Sequence, residues 1–377
     1  MDYLDLLRMV IINHTIPHSQ KRGPMNRESL AVTLVSGLDG GERTTVACEL
    51  TGSKPRGAVH TAQQNHSGEQ HAELALHLAD HLTSLAENGQ RGDVVVELHA
   101  GCDPIEIALV LEHIFATTPG PHMSFRNLVT VANAADIRRL LFCDTSIEAA
   151  LASGHTDTAD SSEELAVQLE FATTIVLTNL SHFSAHVVNE IHGLVRKLNP
   201  SAHVVPLALA MRTHRRLAPS ATLAADLGSR LGWARELSGK AGLPSTINTI
   251  GSYIFTDPRP FHPGRLATVI DSCLAPEDVG LIVRSRGLVR LATRPDHVAS
   301  WSSAGVMLAL NPTGMESWDA SSPVGQEIVF FGQNLNHSRL DSSLRASLVA
   351  DDEFIAGPME WSSYSDPFPV WHHEHGH

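Results

Sequence analysis

The segment at residues 37–45, Gly-Leu-Asp-Gly-Gly-Glu-Arg-Thr-Thr, carries the residue types and spacing closest to phosphate chemistry. It follows the apolar run 30–35. That order predicts a strand, a loop and a helix N-terminus, where backbone N–H groups can bind phosphate. A working phosphate loop has the pattern G-x-x-x-x-G-K-S/T. Here Glu42 and Arg43 occupy the positions of the second glycine and the lysine.

These two departures change both the charge and the shape of the expected cradle. A carboxylate at position 42 would repel a phosphate, and the planar guanidinium of Arg43 does not replace a compact ammonium in a tight loop. We therefore expect an impaired nucleotide site, in which the remaining anion-binding residues are Gly37, Gly40, Gly41, Arg43, Thr44 and Thr45. The alternative is a glycine-rich turn that binds no ligand.

GTP and magnesium are expected as cofactors only if this loop still binds nucleotide. In that case Thr44 would be the magnesium ligand, and Glu97 would be the nearest candidate for the outer shell of the metal. Glu97 comes directly after the apolar residues 94–96, near the end of the strand predicted at residues 93–98. We therefore expect it at the carboxyl edge of a sheet, where open α/β folds bind ligands. A solvated carboxylate at a strand end is the alternative.

A third segment, residues 176–182, stands where guanine-specific proteins carry an N-K-x-D element. Asn179 matches that element, whereas Leu180 and His182 replace the lysine and the aspartate. The carboxylate that would accept the N–H groups of guanine is therefore missing, and selectivity for guanine by that route is lost.

Hydrophobic periodicity divides the chain into five parts. Short β-branched runs alternate with amphipathic segments over residues 30–207, which predicts an α/β domain with a mainly parallel sheet covered on both faces. Residues 208–246 are predicted to be a helical connector, and residues 247–356 a smaller α+β domain. Residues 1–29 are predicted to be an irregular extension, and residues 357–377 an aromatic and His-rich tail.

Composition limits the classes of partner. The 377 residues include 27 basic and 41 acidic side chains, for a net charge of −14. This charge argues against direct binding to nucleic acid or to an anionic membrane. We find no apolar stretch near the ~20 residues that span a bilayer and no secretory signal pattern, and therefore expect a cytoplasmic protein. The four cysteines form no C-x-x-C pair, so neither a disulfide framework nor a thiolate zinc site is predicted.

The order of these segments resembles the CobW family of GTPase-like metal chaperones. The resemblance is strongest in the second domain, at residues 259–266, 284–295 and 301–305, and it covers roughly residues 30–371. It implies a GTPase-like domain of the P-loop type followed by a smaller α+β CobW C-terminal domain.

Members of this family carry a C-x-C-C metal motif before the second helix, and the matching stretch here, about residues 65–71, contains no cysteine. Imidazoles are the remaining candidate zinc ligands. Near this stretch they are His66, His71, His77 and His81, of which the last two share one helical face, with Glu73 or Asp80 as a further ligand. A helix with solvated histidines is the alternative.

The chain also ends in a histidine cluster, formed by His372, His373, His375 and His377. Such tracts bind zinc, nickel or copper with modest affinity. The cluster is either a metal-capture arm, a passive tail or a cloning remnant. Before it, the aromatic and prolyl segment 364–371 is a candidate docking segment, with packing onto the second domain as the alternative.

This ending resembles a branch of the CobW family associated with zinc shortage and ribosome hibernation. The leading hypothesis is a zinc-homeostasis protein, a metal-handling or metal-responsive adaptor with an impaired GTP site. A second hypothesis is a non-catalytic factor that recruits a hibernation protein to ribosomes when zinc is scarce. A third is an active GTP-dependent zinc metallochaperone. The expected partner is a protein client or a ribosome-associated factor, and enzymatic activity is left open.

Overall fold

The computed structural model describes residues 30–51, 59–62, 71–117, 123–143, 156–207, 231–240, 250–320 and 322–371. They form two sheets, one of six strands and one of five. Within these ranges no helix combines the length and the apolar character needed to cross a bilayer.

The first domain is built on a parallel sheet. Its strands are β1 (Leu30–Ser36), β2 (Val59–Ala62), β3 (Gly92–Leu98), β4 (Met123–Asn133), β5 (Thr174–Thr178) and β6 (His203–Pro206), in the spatial order β2-β3-β1-β4-β5-β6. All of the pairs between them are parallel. Every residue of β1 is buried, as expected for a central parallel strand covered on both faces. The predicted α/β class with a mainly parallel sheet is confirmed.

Helices connect these strands. They are α1 (Gly40–Thr51), α2 (His71–Glu87), α3 (Pro104–Thr117), α4 (Ala134–Asp136), α5 (Thr156–Phe171), α6 (Ala185–Leu198) and α7 (Gly232–Leu237). Helix α7 lies in the segment 208–246 that is predicted to be a helical connector, of which the structure describes residues 231–240. A π-helical turn, Ile137–Leu141, continues α4. Ser184 is the N-cap of helix α6, and its hydroxyl accepts a hydrogen bond from the backbone N–H of Val187.

Some elements differ from the sequence-based expectation. Helix α1 begins at Gly40, whereas the apolar pattern predicts a start at Thr44. The earlier start follows from Asp39, whose carboxylate caps the helix by accepting a bond of 2.7 Å from the backbone N–H of Glu42. In the first domain, two of the strands and helices given above are not predicted: β2, a short strand at the edge of the sheet, and α5, whose first turns are almost entirely polar.

The second domain is smaller and of the α+β class, as predicted. Its strands are β7 (Ile250–Asp257), β8 (Leu281–Val289), β9 (His297–Ala304), β10 (Met307–Glu316) and β11 (Gln326–Gln333), and they form an antiparallel sheet in the order β10-β9-β8-β11-β7. Its helices are α8 (Pro263–Ser272), α9 (Pro276–Val279), α10 (His337–Ala346), α11 (Asp351–Ala356) and α12 (Pro358–Trp361). The core includes Phe255, Phe330 and Trp301, and the Trp301 indole N–H donates to Ser285 at 2.7 Å.

Residues 357–371, predicted to belong to a tail, pack against the second domain. Asp366 accepts hydrogen bonds from Thr293 at 2.5 Å and from Arg294 at 2.9 Å. The Arg294 guanidinium lies 4.1 Å from the ring centroid of Trp371, and the Trp371 indole N–H donates to the backbone carbonyl of Leu310 at 3.2 Å. The structure therefore favours packing over a free docking segment as far as Trp371.

A buried ion cluster joins the two domains. Arg284 on β8 is fully buried and makes two hydrogen bonds of 2.8 Å to the carboxylate of Glu170 on α5. Arg284 also pairs with Glu163, which lies on the same helix. A guanidinium nitrogen of Arg286 lies 3.2 Å from a carboxylate oxygen of Glu163. Burial alone would raise the pKa of Glu163, but the charges of Arg284 and Arg286 outweigh it and lower that pKa to about 2. The cluster therefore holds the Glu163 carboxylate ionised between the domains.

Replacing Arg284 by methionine should destabilise the protein. The change leaves Glu163 and Glu170 without their principal partner, and breaking a buried pair costs about 3–5 kcal/mol. Urea unfolding, followed by circular dichroism, measures the free energy of unfolding. The matched control is Arg139→Ala, because Arg139 pairs with Asp136 but is 60 % exposed; its loss should cost under about 0.5 kcal/mol. Equal effects of the two changes would contradict this account.

Candidate functional site

The candidate site is the loop between β1 and α1, which passes close to β4. Gly37 has a φ of +150°, and a Cβ atom at this position would lie 2.4 Å from the carbonyl oxygen of Val131. The close approach of two backbones therefore requires glycine here. The predicted order of strand, loop and helix N-terminus is present at this point of the chain.

Arg43 uses its guanidinium within the loop. The side chain is buried, and its terminal nitrogen donates to the carbonyl oxygens of Gly37 at 2.5 Å and Leu38 at 3.1 Å. Its Nε atom lies 3.7 Å from a carboxylate oxygen of Glu97. In a working loop the lysine at this position reaches the terminal phosphates. The cation of Arg43 is instead committed to protein oxygen atoms.

The threonines of the motif also have protein partners. Thr44 donates to Glu97 at 2.9 Å, and Thr45 donates to the backbone carbonyl of Gly41 at 2.8 Å. Glu97 is buried at the end of β3, so the prediction of a carboxylate at this sheet edge beside the loop agrees with the structure, whereas a solvated carboxylate does not. The hydroxyl of Thr44, the predicted magnesium ligand, is thus bonded to the predicted outer-shell carboxylate.

Glu42 makes the most extensive contacts of the loop. Its carboxylate accepts hydrogen bonds from Asn133 at 2.9 Å, from Thr178 at 2.7 Å and from Asn179 at 2.7 Å. Asn133 ends β4 and Thr178 ends β5, so the carboxylate ties the first turn of α1 to both strand ends. We call these four residues, Glu42, Asn133, Thr178 and Asn179, the Glu42 clamp.

The Glu42 clamp changes the interpretation of Asn179. The sequence places this residue in a base-recognition element, but its side-chain amide donates to Glu42. Asn179 has a left-handed backbone with φ of 55°, a conformation that asparagine tolerates better than most residues. From the sequence, Glu42 is expected only to repel phosphate, and neither Asn133 nor Thr178 is predicted as a site residue. Polar side chains at the ends of β4 and β5 are the signal that could have revealed them.

The segment after β3 is also held by internal contacts. Asp103 caps α3 by accepting hydrogen bonds from the backbone N–H groups of Ile105 at 2.8 Å and Glu106 at 3.1 Å. Glu164 on α5 is near this segment and near Arg43; burial raises its pKa, and a hydrogen bond with the backbone of Gly101 opposes that effect.

The predicted histidine ligands are only partly described. His71 begins α2, with Nε2 at 2.9 Å from the carbonyl oxygen of Gly101 and Nδ1 at 3.5 Å from the carboxylate of Glu106. Both of its ring nitrogens therefore face protein atoms. His77 and His81 are exposed one helical turn apart on α2.

Among the residues that the structure describes, no group of three or more His, Cys, Asp or Glu side chains could hold a metal ion. The predicted third ligands, Glu73 and Asp80, therefore do not complete a site with His77 and His81, because the described geometry brings no three donors together. The remaining predicted ligands, His66, His372, His373, His375 and His377, lie outside the described residues.

The close approach at Gly37 leads to a test. Gly37→Ala should lower the free energy of unfolding by about 1–3 kcal/mol, because the new methyl group collides with the backbone of β4 in a left-handed conformation. Gly41→Ala is the matched control, since its Cβ atom would meet only an oxygen of Asp39 at 3.4 Å, and alanine is favoured over glycine in a helix. Chemical denaturation of both variants checks the difference. A Gly37→Ala protein as stable as the Gly41→Ala protein would contradict the loop geometry.

Two curated relatives show partial similarity to this chain. It is 30% identical over 235 residues to zinc-regulated GTPase metalloprotein activator 1 of Dictyostelium discoideum, an alignment that covers 54% of this chain and 47% of that protein. It is 31% identical over 165 residues to a zinc chaperone of Mycobacterium tuberculosis, which covers 36% of this chain and 39% of the relative. The matched region thus spans less than half the length of either relative.

Among solved structures, the chain is similar to the Zn(II)-bound YjiA GTPase from E. coli. The sequence identity is 14%, the TM-score is 0.33, and the match covers 86% of this chain and all of that one. Residues 250–348 match the model of the cobalamin synthesis protein cobW C-terminal domain. These residues run from the first strand of the second domain through α10. The second domain of this chain is therefore a cobW C-terminal domain.

Proposed function

We propose that this chain is a zinc-homeostasis protein of the CobW family, a metal-handling or metal-responsive adaptor with an impaired GTP-binding site. The cobW C-terminal domain and the two relatives named for zinc support the zinc-related role. The observation that carries the proposal of impairment is the Glu42 clamp, together with the burial of Arg43 among loop carbonyls.

Charge explains why a triphosphate is disfavoured. The carboxylate of Asp39 caps the N-terminus of α1, the place at which a phosphate would receive backbone N–H groups. Like charges about 4 Å apart repel by about 4 kcal/mol near a protein surface. A phosphate in the loop would meet Asp39 while the Arg43 cation remains bonded to Gly37, Leu38 and Glu97.

Magnesium binding is disfavoured because it would break an existing hydrogen bond. Thr44 would have to give up its bond to Glu97 before its hydroxyl could ligate the ion. The donor set still suits the ion chemically, because hydroxyl and carboxylate oxygens are the ligands that magnesium prefers. If Mg²⁺–GTP were bound, Thr44 would be the residue that holds the metal and Glu97 would stand in its outer shell, and the metal would supply charge neutralisation between the phosphates.

Zinc is proposed as the metal that the protein carries or senses. Without the thiolates of a C-x-C-C motif, the ligands would be imidazoles, which suit zinc but bind it less tightly than thiolates. The proposed contributors are His66, His77 and His81 near α2 and the four histidines of residues 372–377. We propose a protein client or a ribosome-associated factor as partner, since a net charge of −14 disfavours direct contact with nucleic acid.

An active GTP-dependent zinc metallochaperone is the main competing function. Arg43 preserves the positive charge of the lysine position, and one relative is named a GTPase. The two functions differ in whether the wild-type loop binds and consumes nucleotide, so one titration separates them.

Wild-type protein should show no saturable binding of fluorescent GTP analogues with magnesium at micromolar concentrations. The double change Glu42→Gly and Arg43→Lys restores the loop consensus and should strengthen binding by at least about tenfold. Fluorescence titration and phosphate release measure both properties. Thr51→Ala in place of the double change is the control, since Thr51 lies at the far end of the same helix and its hydroxyl donates to the backbone carbonyl of Cys48. Micromolar binding and turnover by wild-type protein would contradict the impaired site.

The C-terminal histidines should account for part of the zinc capacity. Deleting residues 372–377 should reduce the zinc bound at micromolar free metal by about one ion per chain, because imidazole-rich tracts bind with modest affinity. Competition with a colorimetric chelator, using protein purified without an affinity tag, measures the stoichiometry. A variant with the four histidines changed to serine keeps the chain length as a control. Unchanged zinc binding in both variants would show that the tract is passive.

A further inference from the structure

An apolar run is exposed at the junction of α11 and α12. Residues 354–359, Phe-Ile-Ala-Gly-Pro-Met, contain no polar side chain, and we call them the apolar tip. Ile355 is 84% exposed and Met359 is 92% exposed, while Phe354 is 44% exposed. Large apolar side chains this exposed are unremarkable singly, but adjacent ones mark interaction surfaces.

The residues on either side of the apolar tip are fixed by packing and by hydrogen bonds. Trp361 is buried against Ala292 and Val349, and its indole N–H donates to the backbone carbonyl of Glu353 at 2.7 Å. The Glu353 carboxylate accepts a bond of 2.6 Å from the backbone N–H of Ala350 and also pairs with Arg265. The helices on either side of the tip are thus anchored, so docking would require little ordering of the chain.

Gly357 sets the turn between the two helices. Its φ of +80° is a left-handed conformation, and a Cβ atom there would meet nothing within 4 Å. Glycine is therefore required here because of its backbone conformation, and not because a side chain would collide with a neighbour. Gly357 is the C-cap of α11 and the N-cap of α12. Ile355 in the last turn of α11 and Met359 in the first turn of α12 therefore lie on either side of this turn.

The surroundings of the apolar tip carry negative charge. Asp351 and Asp352 come before it and Glu360 follows it, and all of them are exposed. Asp351 is 92% exposed even though it pairs with Arg259. An acidic border repels anionic lipid and nucleic acid and attracts basic side chains.

We propose that the apolar tip docks a segment of a partner protein in which apolar side chains are flanked by lysine or arginine. Ile355 and Met359 would supply the apolar contact, and Asp352 and Glu360 would select basic flanks. Methionine suits such a role because its flexible side chain adapts to partner surfaces. This inference concerns the second domain and is independent of whether the loop after β1 binds nucleotide.

The test uses the full chain and a labelled synthetic peptide that forms a helix with leucines on one face and lysines beside them. Fluorescence anisotropy should show that the wild-type protein binds this peptide at least about tenfold more tightly than a peptide with glutamate in place of lysine. The double change Ile355→Ser and Met359→Ser should weaken binding by at least about tenfold. Val370→Ser is the matched control, because Val370 is 75% exposed on the same domain.

The double change Asp352→Lys and Glu360→Lys keeps the tip apolar and should reverse the preference between the two peptides. Thermal unfolding should be unchanged in all variants, since the altered side chains are exposed. Equal binding by wild-type and tip-variant proteins would overturn the proposal. So would tip-dependent binding to phosphatidylglycerol vesicles, or a dimer in sedimentation equilibrium that the tip variant dissociates, because a membrane or a second copy would then be the occupant.

Discussion

The carboxylate of Glu42 is the interaction on which the organisation of the candidate site depends. Three hydrogen bonds from Asn133, Thr178 and Asn179 converge on it from the ends of two strands. Hydrogen bonds to a charged acceptor stabilise by about 1.5–3 kcal/mol each, so this carboxylate is firmly placed. It occupies the second glycine position of the motif, and it engages the asparagine that a guanine base would otherwise contact. One carboxylate thus engages both of the segments that the sequence predicts for phosphate and for base recognition.

Helix α5 connects this site to the second domain. Its Glu163 pairs with Arg284 and Arg286 across the domain interface, while the adjacent Glu164 lies near Arg43 and the backbone of Gly101. Phe331 and Val283 of the second domain also belong to the same hydrophobic core as the first domain. The two domains therefore form a continuous packed unit, in which adjacent positions of one helix approach the second domain and the loop after β1.

Much of the fold was predictable because burial imposes clear periodicity. Continuous apolar runs such as β1 predicted the parallel sheet, and the amphipathic pattern of residues 185–198 predicted α6. Helix α5 was not predicted, although Leu165 and Leu169 on it are buried in the core. Its first turns are polar, and the ion cluster that anchors it forms only in the folded chain. The site was predicted as a damaged phosphate loop, but the sequence alone does not show which partner a charged side chain selects. Asn133 is 91 positions from Glu42 and Thr178 is 136 positions away, so their contact exists only in the folded chain.

Crystals of the protein grown with GTP and magnesium would test the central claim most directly. The account predicts an unoccupied loop, with Arg43 still bonded to the carbonyl oxygens of Gly37 and Leu38 and with Glu42 still held by Asn133, Thr178 and Asn179. A triphosphate seated in the loop, with Arg43 turned onto its phosphates and magnesium on Thr44, would contradict it.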